Sequence, residues 1–168
     1  SENVGAMHGC GHDTHVATFL RCLEALRSLP KEARPQRVYG CEVWRKLDWL
    51  LKDDPDAAAQ IAPLIEQNDQ VFKLHLNRYK YAERYPEQPM EVYRGEGEVF
   101  LQSLEGLLEG RDYLLADHPS LADVALMPFV RQFAHVDREW FAQTPYRRLQ
   151  DWLQRFLESD LFTGVMRK

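Results

Sequence analysis

Cysteine is scarce in this 168-residue chain, which holds only Cys10, Cys22 and Cys41. An odd, sparse set of thiols is not a disulfide framework, so a fold stapled by cross-links is excluded and reduced cysteines are expected. Long apolar runs are missing too. None approaches the ~18 residues of a membrane span, and the N-terminus lacks a basic stretch followed by an apolar one, so a soluble, cytosolic (cytoplasmic) protein is expected. Positive charge is not in excess: 21 Lys+Arg stand against 26 Asp+Glu, for a formal net charge of -5. That balance argues against nucleic acid and against an anionic membrane surface as partners. A glycine-rich phosphate loop is lacking as well, because "GEGE" (95–98) sits in a helical pattern and leads to no strand. Repeats and low-complexity tracts are absent, and the period-two alternation of strands is hard to find. The only strand-like piece is Val38-Tyr39.

Apolar residues at helical spacing are abundant. With 45% hydrophobic and 11% aromatic residues, the chain can bury enough surface to offset its ordering entropy, and it reads as all-α. Val16, Phe19, Leu20, Leu23 and Leu26 form one stripe, ended by Pro30 and a polar link through Arg37 that is the best candidate boundary. The spacing of Val43, Trp44, Leu47, Leu50 and Leu51 predicts a helix closed by Asp54-Pro55. Ile61, Leu64, Ile65, Phe72, Leu76 and Tyr79 outline one long helix, or two collinear ones broken near Asn68-Asp69. Pro89 opens a helix whose core face is Tyr93, Phe100, Leu104, Leu107 and Leu108.

Ser120 with Asp123 three residues on reads as a capping box with Asp in place of Glu, opening a helix that carries only one charge between Leu121 and Val130. Such a helix belongs in the middle of a domain, and Pro128 predicts a kink within it. Thr144 as cap and Pro145 at the first helical position predict a further helix bearing Tyr146, Leu149, Trp152, Leu153, Phe156 and Leu157. A short last helix is expected near Leu161 to Met166. His135 and Asp137 read as a capping pair, whereas His75 and His118 show no partner by spacing.

The segments "EVWRKLDWLLKDDPD" (42–56), "LIEQNDQVFKLHLNRYKYAERY" (64–85), "YLLADHPSLADVALMPFVRQFAHVD" (113–137) and "YRRLQDWLQRFLESDLFTGVM" (146–166) carry a resemblance. Together, residues 41–168 resemble the helical C-terminal domain of glutathione transferase-like proteins, and Ser120 to Asp123 is the most specific part. The resemblance implies a helical bundle whose first long helices form one wall of an apolar small-molecule pocket. Arg78, Tyr79, Tyr81 and Arg84 are the side chains that could face such a pocket, with exposed positions on an amphipathic helix as the alternative reading. Members of that family bind glutathione through a thioredoxin-like domain. The forty residues before the match cannot hold its parallel sheet, since each parallel connection needs a dozen or more residues. Glutathione is therefore not expected to bind the isolated chain.

Residues 5–27 offer a second resemblance. In "MHGCGHDTHVATFLRCLEAL" (7–26), His8, Cys10, His12, Asp13 and His15 fall within eight residues. Imidazole and thiolate are the usual zinc ligands, and an extended strand puts Cys10 and His12 on one face. Cys10, His12 and His15 are thus the candidate metal ligands, with zinc as the cofactor. The segment resembles the metal-binding motif of the dinuclear zinc amidohydrolase and aminoacylase family, which implies Cys10 and His12 as ligands and Asp13 as the acid beside them. That family's Glu-Glu pair has no counterpart near Glu42, and metal-assisted hydrolysis needs a base and a polarised carbonyl together with the activated water.

Two units are accordingly expected, an N-terminal segment over 1–37 with one helix and a helical domain over 38–168. The preferred function is a ligand- or partner-binding module without a complete glutathione site. The alternatives are a glutathione-dependent transferase completed by another chain, and a remnant of a zinc-dependent amidohydrolase. An apolar face left uncovered by a missing sheet would invite a partner protein or a homodimer.

Overall fold

The computed structural model describes residues 48–160 and 162, which lie in a compact unit running from Trp44 to Lys168. The expected boundary at residues 37–38, the strand-like pair Val38-Tyr39 and the stripe from Val16 to Leu26 fall outside the described residues. Of the short helix expected near Leu161 to Met166, only Phe162 is described.

The domain is all-α. In chain order it contains α1 (Pro55–Gln67), a π turn (Asn68–Phe72), α2 (Lys73–Lys80), a 3-10 turn (Ala82–Arg84), α3 (Met90–Leu107), α4 (Leu121–Val136), α5 (Arg138–Gln143) and α6 (Arg147–Glu158). No strand occurs among the described residues. Helix α4 packs against α1, α2 and α6, and α3 packs against both α2 and α6.

The stretch ahead of α1 corrects one expectation. Asp48 to Leu50 form a turn rather than the end of a helix, and Asp48 and Leu51 have positive φ (45° and 50°). Asp54-Pro55 opens the next helix instead of closing the previous one: the Asp54 carboxylate accepts from the Ala57 N–H at 2.9 Å, and Pro55 occupies the first helical position. Both roles suit an Asp-Pro pair, because proline's missing N–H costs nothing at a helix start.

Between α1 and α2 the break expected near Asn68-Asp69 takes the form of a π turn. The buried residues explain it. Leu64, Asn68, Phe72 and Leu76 are all buried, four residues apart each time, so three turns must absorb twelve residues. At about 3.6 residues per turn a plain α-helix would carry the buried line roughly one residue around the axis. One widened turn takes up that residue and keeps Phe72, Leu76 and Tyr79 facing the core.

Helix α3 starts after Pro89 as expected and buries Tyr93, Gly97, Phe100, Leu101 and Leu104. Leu107 is only partly buried at its end. Gly97 permits the close approach to α4: a Cβ there would stand 2.4 Å from Cε2 of Phe133. Phe133, fully buried, lies 4.8 Å from Tyr79 and 5.4 Å from Phe72, centroid to centroid, and Phe72 lies 4.9 Å from Phe100. This aromatic cluster locks α2, α3 and α4 together.

Helix α4 is the central helix, buried at Ala122, Asp123, Ala125, Leu126, Met127, Phe129, Val130, Phe133 and Ala134, with Pro128 inside it. Its start is the capping box: Asp123 Oδ2 accepts from the Ser120 N–H at 2.8 Å and from the Ser120 hydroxyl at 2.6 Å. Asp123 Oδ1 accepts from the Leu114 N–H and the Trp152 indole, both at 2.9 Å. Four donors thus surround a carboxylate with no exposed surface, the condition under which a charge can be buried without a counter-ion.

Helix α6 begins at Arg147, with Tyr146 as its cap residue, not at Pro145 behind Thr144. The Thr144 hydroxyl instead donates to the Phe141 carbonyl at 2.7 Å and closes α5. The orphan N–H groups of α6 are met from another helix: Glu105 of α3 accepts from the Leu149 N–H at 2.8 Å and the Arg148 N–H at 3.3 Å. Asp137 both ends α4 and caps α5, accepting from the Trp140 N–H at 2.9 Å.

Candidate functional site

The end of α1, the π turn and the start of α2 run alongside α3 and leave a half-open groove of about 290 Å³, lined by Gln67, Val71, Phe72, His75, Glu96, Val99 and Phe100. Gln67, Val71 and His75 recur every four residues along one side, and Glu96, Val99 and Phe100 supply the other. Beneath it Phe72 and Phe100 are buried with their rings in contact, so they offer almost no accessible surface of their own. The walls are apolar because Val71 and Val99 are left 48% and 64% exposed, which is unusual for branched aliphatic side chains flanking one cleft. Leu74 and Val92, also exposed, continue the same face along α2 and α3.

The polar end of the groove is a contact between an imidazole and a carboxylate on facing helices. His75 Nδ1 lies 2.8 Å from Glu96 Oε2. His75, which had no partner by sequence spacing, therefore has one twenty-one residues away. No signal in the sequence could have paired the two, since both sit among ordinary amphipathic positions.

The other candidates of the sequence reading fall elsewhere. Tyr79 is fully buried under Phe133 and does not line the groove. Burial, partly offset by the neighbouring Arg94 guanidinium, raises its hydroxyl above the usual tyrosine range. Arg94 itself lies 4.5 Å above the Trp140 ring. The Arg78 guanidinium lies 5.9 Å from the Tyr93 ring centre, and Arg84 lies 4.7 Å from that of Tyr81, so both arginines cover aromatic surface. His118 is exposed. His135 Nδ1 stands 3.3 Å from Arg138, and burial followed by the charges of Arg131 and Arg138 lowers its pKa from the usual histidine value.

Cys10, His12 and His15 lie outside the described residues. Among the described residues, no group of three or more His, Cys, Asp or Glu side chains is arranged to hold a metal ion. No helix among them is long and apolar enough to cross a membrane.

Comparison with known proteins agrees with this architecture. Residues 94–155 match the family model for the glutathione S-transferase, C-terminal domain. The match runs from α3 through the capping box of α4 to α6, the part of the fold held together by Asp123 and Glu105. No curated protein and no solved structure matches the chain. The helices over residues 94–155 form a glutathione transferase C-terminal-like helical domain.

Proposed function

We propose that this chain is a glutathione transferase-like helical module that binds an apolar molecule at its α2–α3 face, rather than a complete transferase. The observation that carries the reading is the groove itself, flanked by the exposed Val71 and Val99. Apolar concavities with a few polar groups at one end are the usual form of small-molecule sites. Titrating the full chain with a fluorescent apolar probe tests it. Saturable binding that is weakened several-fold by Val99→Asp supports the reading, and binding indifferent to that substitution overturns it. A transferase role would show as saturable turnover of a generic electrophile with glutathione, and finding it would displace the binding-module reading.

Association with a second copy is the other reading with an observation in its favour. Val71 of the π turn, Leu74 of α2, and Val92 and Val99 of α3 are all exposed, and apolar surface of this kind favours self-association. Sedimentation equilibrium decides: a dimer abolished by Leu74→Glu supports it, and a monomer at tens of micromolar refutes it. The metal reading of Cys10, His12 and His15 keeps its own test, zinc content of protein purified without a histidine tag.

A further inference from the structure

The C-terminal half of α4 gathers basic groups with no acid to match them. Arg131 and His135 stand one turn apart, and Arg138 follows the end of the helix with its guanidinium 3.3 Å from Nδ1 of His135. A guanidinium has donors only, so Nδ1 accepts there and the neutral imidazole carries its proton on Nε2. Arg131 covers the Phe162 ring at 5.4 Å, and its Nε is enclosed without a hydrogen-bond partner among the described residues. Neither arginine takes part in any ion pair among those residues. Of the carboxylates close in sequence, Asp137 is engaged by the Trp140 N–H, and Glu139 and Asp160 are exposed. The charges that bear on His135 are those of Arg131 and Arg138, both positive. The neighbouring α2 has no acid to add and brings Lys80 to Gln132 at 3.2 Å.

Cations near a helix C-terminus are favourable in themselves. That accounts for His135 and Arg138 but not for Arg131, which lies more than a turn from the end of α4. We propose that Arg131, His135 and Arg138 form a binding site for a tetrahedral oxyanion, a phosphate or sulfate group, held by the two guanidinium groups and the Nε2–H of His135. Two permanent positive charges match a dianion, and their forked donors suit its several oxygens. None of the three residues lines the groove, so this site stands or falls independently of binding there.

Sulfate is the probe of choice, because its own charge does not change between pH 5 and pH 7.5. The full chain is titrated with sodium sulfate against sodium chloride at matched ionic strength, while the ring resonances of His75, His118 and His135 are followed by NMR. The expected result is a saturable shift at His135 that is absent from His75 and His118. Affinity should be about fivefold tighter at pH 5 than at pH 7.5, since a protonated imidazole adds a third positive charge. Arg131→Gln and Arg138→Gln should each weaken sulfate several-fold, and the second substitution falls at an exposed position where folding is not at stake. Inorganic phosphate and phenyl phosphate, run in parallel, tell a free anion from an esterified group by which binds tighter. Equal shifts at all three histidines, a His135 shift unchanged by Arg138→Gln, or no saturable shift up to tens of millimolar sulfate would overturn the site and leave its basic groups as supports of the helix end.

Discussion

The indole N–H of Trp152 donates to Oδ1 of Asp123 at 2.9 Å, tying α6 to the first turn of α4 inside the core. The same oxygen accepts from the Leu114 backbone, and the other oxygen holds Ser120. One carboxylate thereby fixes a loop, a helix start and a second helix. Asp123→Ala leaves four buried donors unmet and should cost about 3–5 kcal/mol. Asp123→Asn keeps one acceptor oxygen and should cost roughly half of that. Trp152→Phe removes a single donor and should cost about 1–2 kcal/mol. Urea denaturation of the three variants checks the order; equal losses for all three would show that the cluster does not act through its donors.

Gly97 is required by contact rather than by backbone conformation. An added methyl would sit 2.4 Å from the Phe133 ring, and that ring is fully buried against Tyr79, Phe72 and Trp140. Overpacking of this sort typically costs about 1–3 kcal/mol, so Gly97→Ala should lower stability despite alanine's better helix propensity. Gly95 and Gly106, with open space around them, serve as controls in which the same change should stabilise by up to ~1 kcal/mol. Thermal melts of the three alanine variants separate the cases by sign.

Glu105 acts as a cap delivered from a distance. Replacing it with Ala frees the Leu149 and Arg148 N–H groups at the start of α6 and should cost about 1–2 kcal/mol, as loss of a local cap residue does. Gln, which keeps an acceptor, should lose less. Amide exchange at Leu149 gives a site-specific readout, since its protection should fall in Glu105→Ala while that of the α3 interior is retained.

Stability should fall on mild acidification because of His135. Burial and two neighbouring arginines lower its folded pKa, so the unfolded chain takes up the proton first. The sign follows: stability is intact above the unfolded value of about 6.5 and declines as pH drops below it, levelling off once the folded form is also protonated. His135→Gln should flatten that decline between pH 7.5 and pH 5. Denaturant midpoints across the range measure it, and an unchanged slope would assign the acid sensitivity to other groups.

At the alkaline end, Tyr79 and Tyr146 should ionise late. Burial is the main cause for both, and at Tyr146 the hydroxyl also donates to Glu98 at 2.8 Å. With folded pKa values raised, their contribution is complete below about pH 10 and is lost as pH rises further. Tyrosinate absorbance should therefore rise in two stages, with the second coinciding with unfolding.

The legible parts of this fold were those encoded within a turn or two of sequence. Ser120 and Asp123 stand three apart, and a capping box can be read from that alone. A break near Asn68-Asp69 was one of two readings of the stripe from Ile61 to Tyr79, and the burial of Asn68 in line with Leu64, Phe72 and Leu76 shows why the turn widens there. Features that depend on tertiary placement could not be read. Glu105 caps α6 across more than forty residues, so the local Thr144-Pro145 signal looked sufficient and pointed to the wrong start. Asp54-Pro55 can end one helix or begin another, and it is the Asp54 cap on the Ala57 N–H, with the positive φ of Leu51 ahead of it, that shows which. The His75–Glu96 pair is a product of the α2–α3 register, so the histidine looked partnerless and Tyr79, a core residue, looked like a pocket candidate.

The widened turn at Asn68–Phe72 works as an indexing pin. Deleting one of its five residues would leave eleven residues over three turns, which an uninterrupted α-helix accommodates with its downstream faces turned by only about 20°. Straightening the turn with all five residues kept would instead swing everything downstream by about 100°, taking Tyr79 out of the aromatic cluster and His75 away from Glu96. The window therefore tolerates the loss of a residue, whereas a further insertion would reassign the groove's chemistry even where every side chain that builds it is kept.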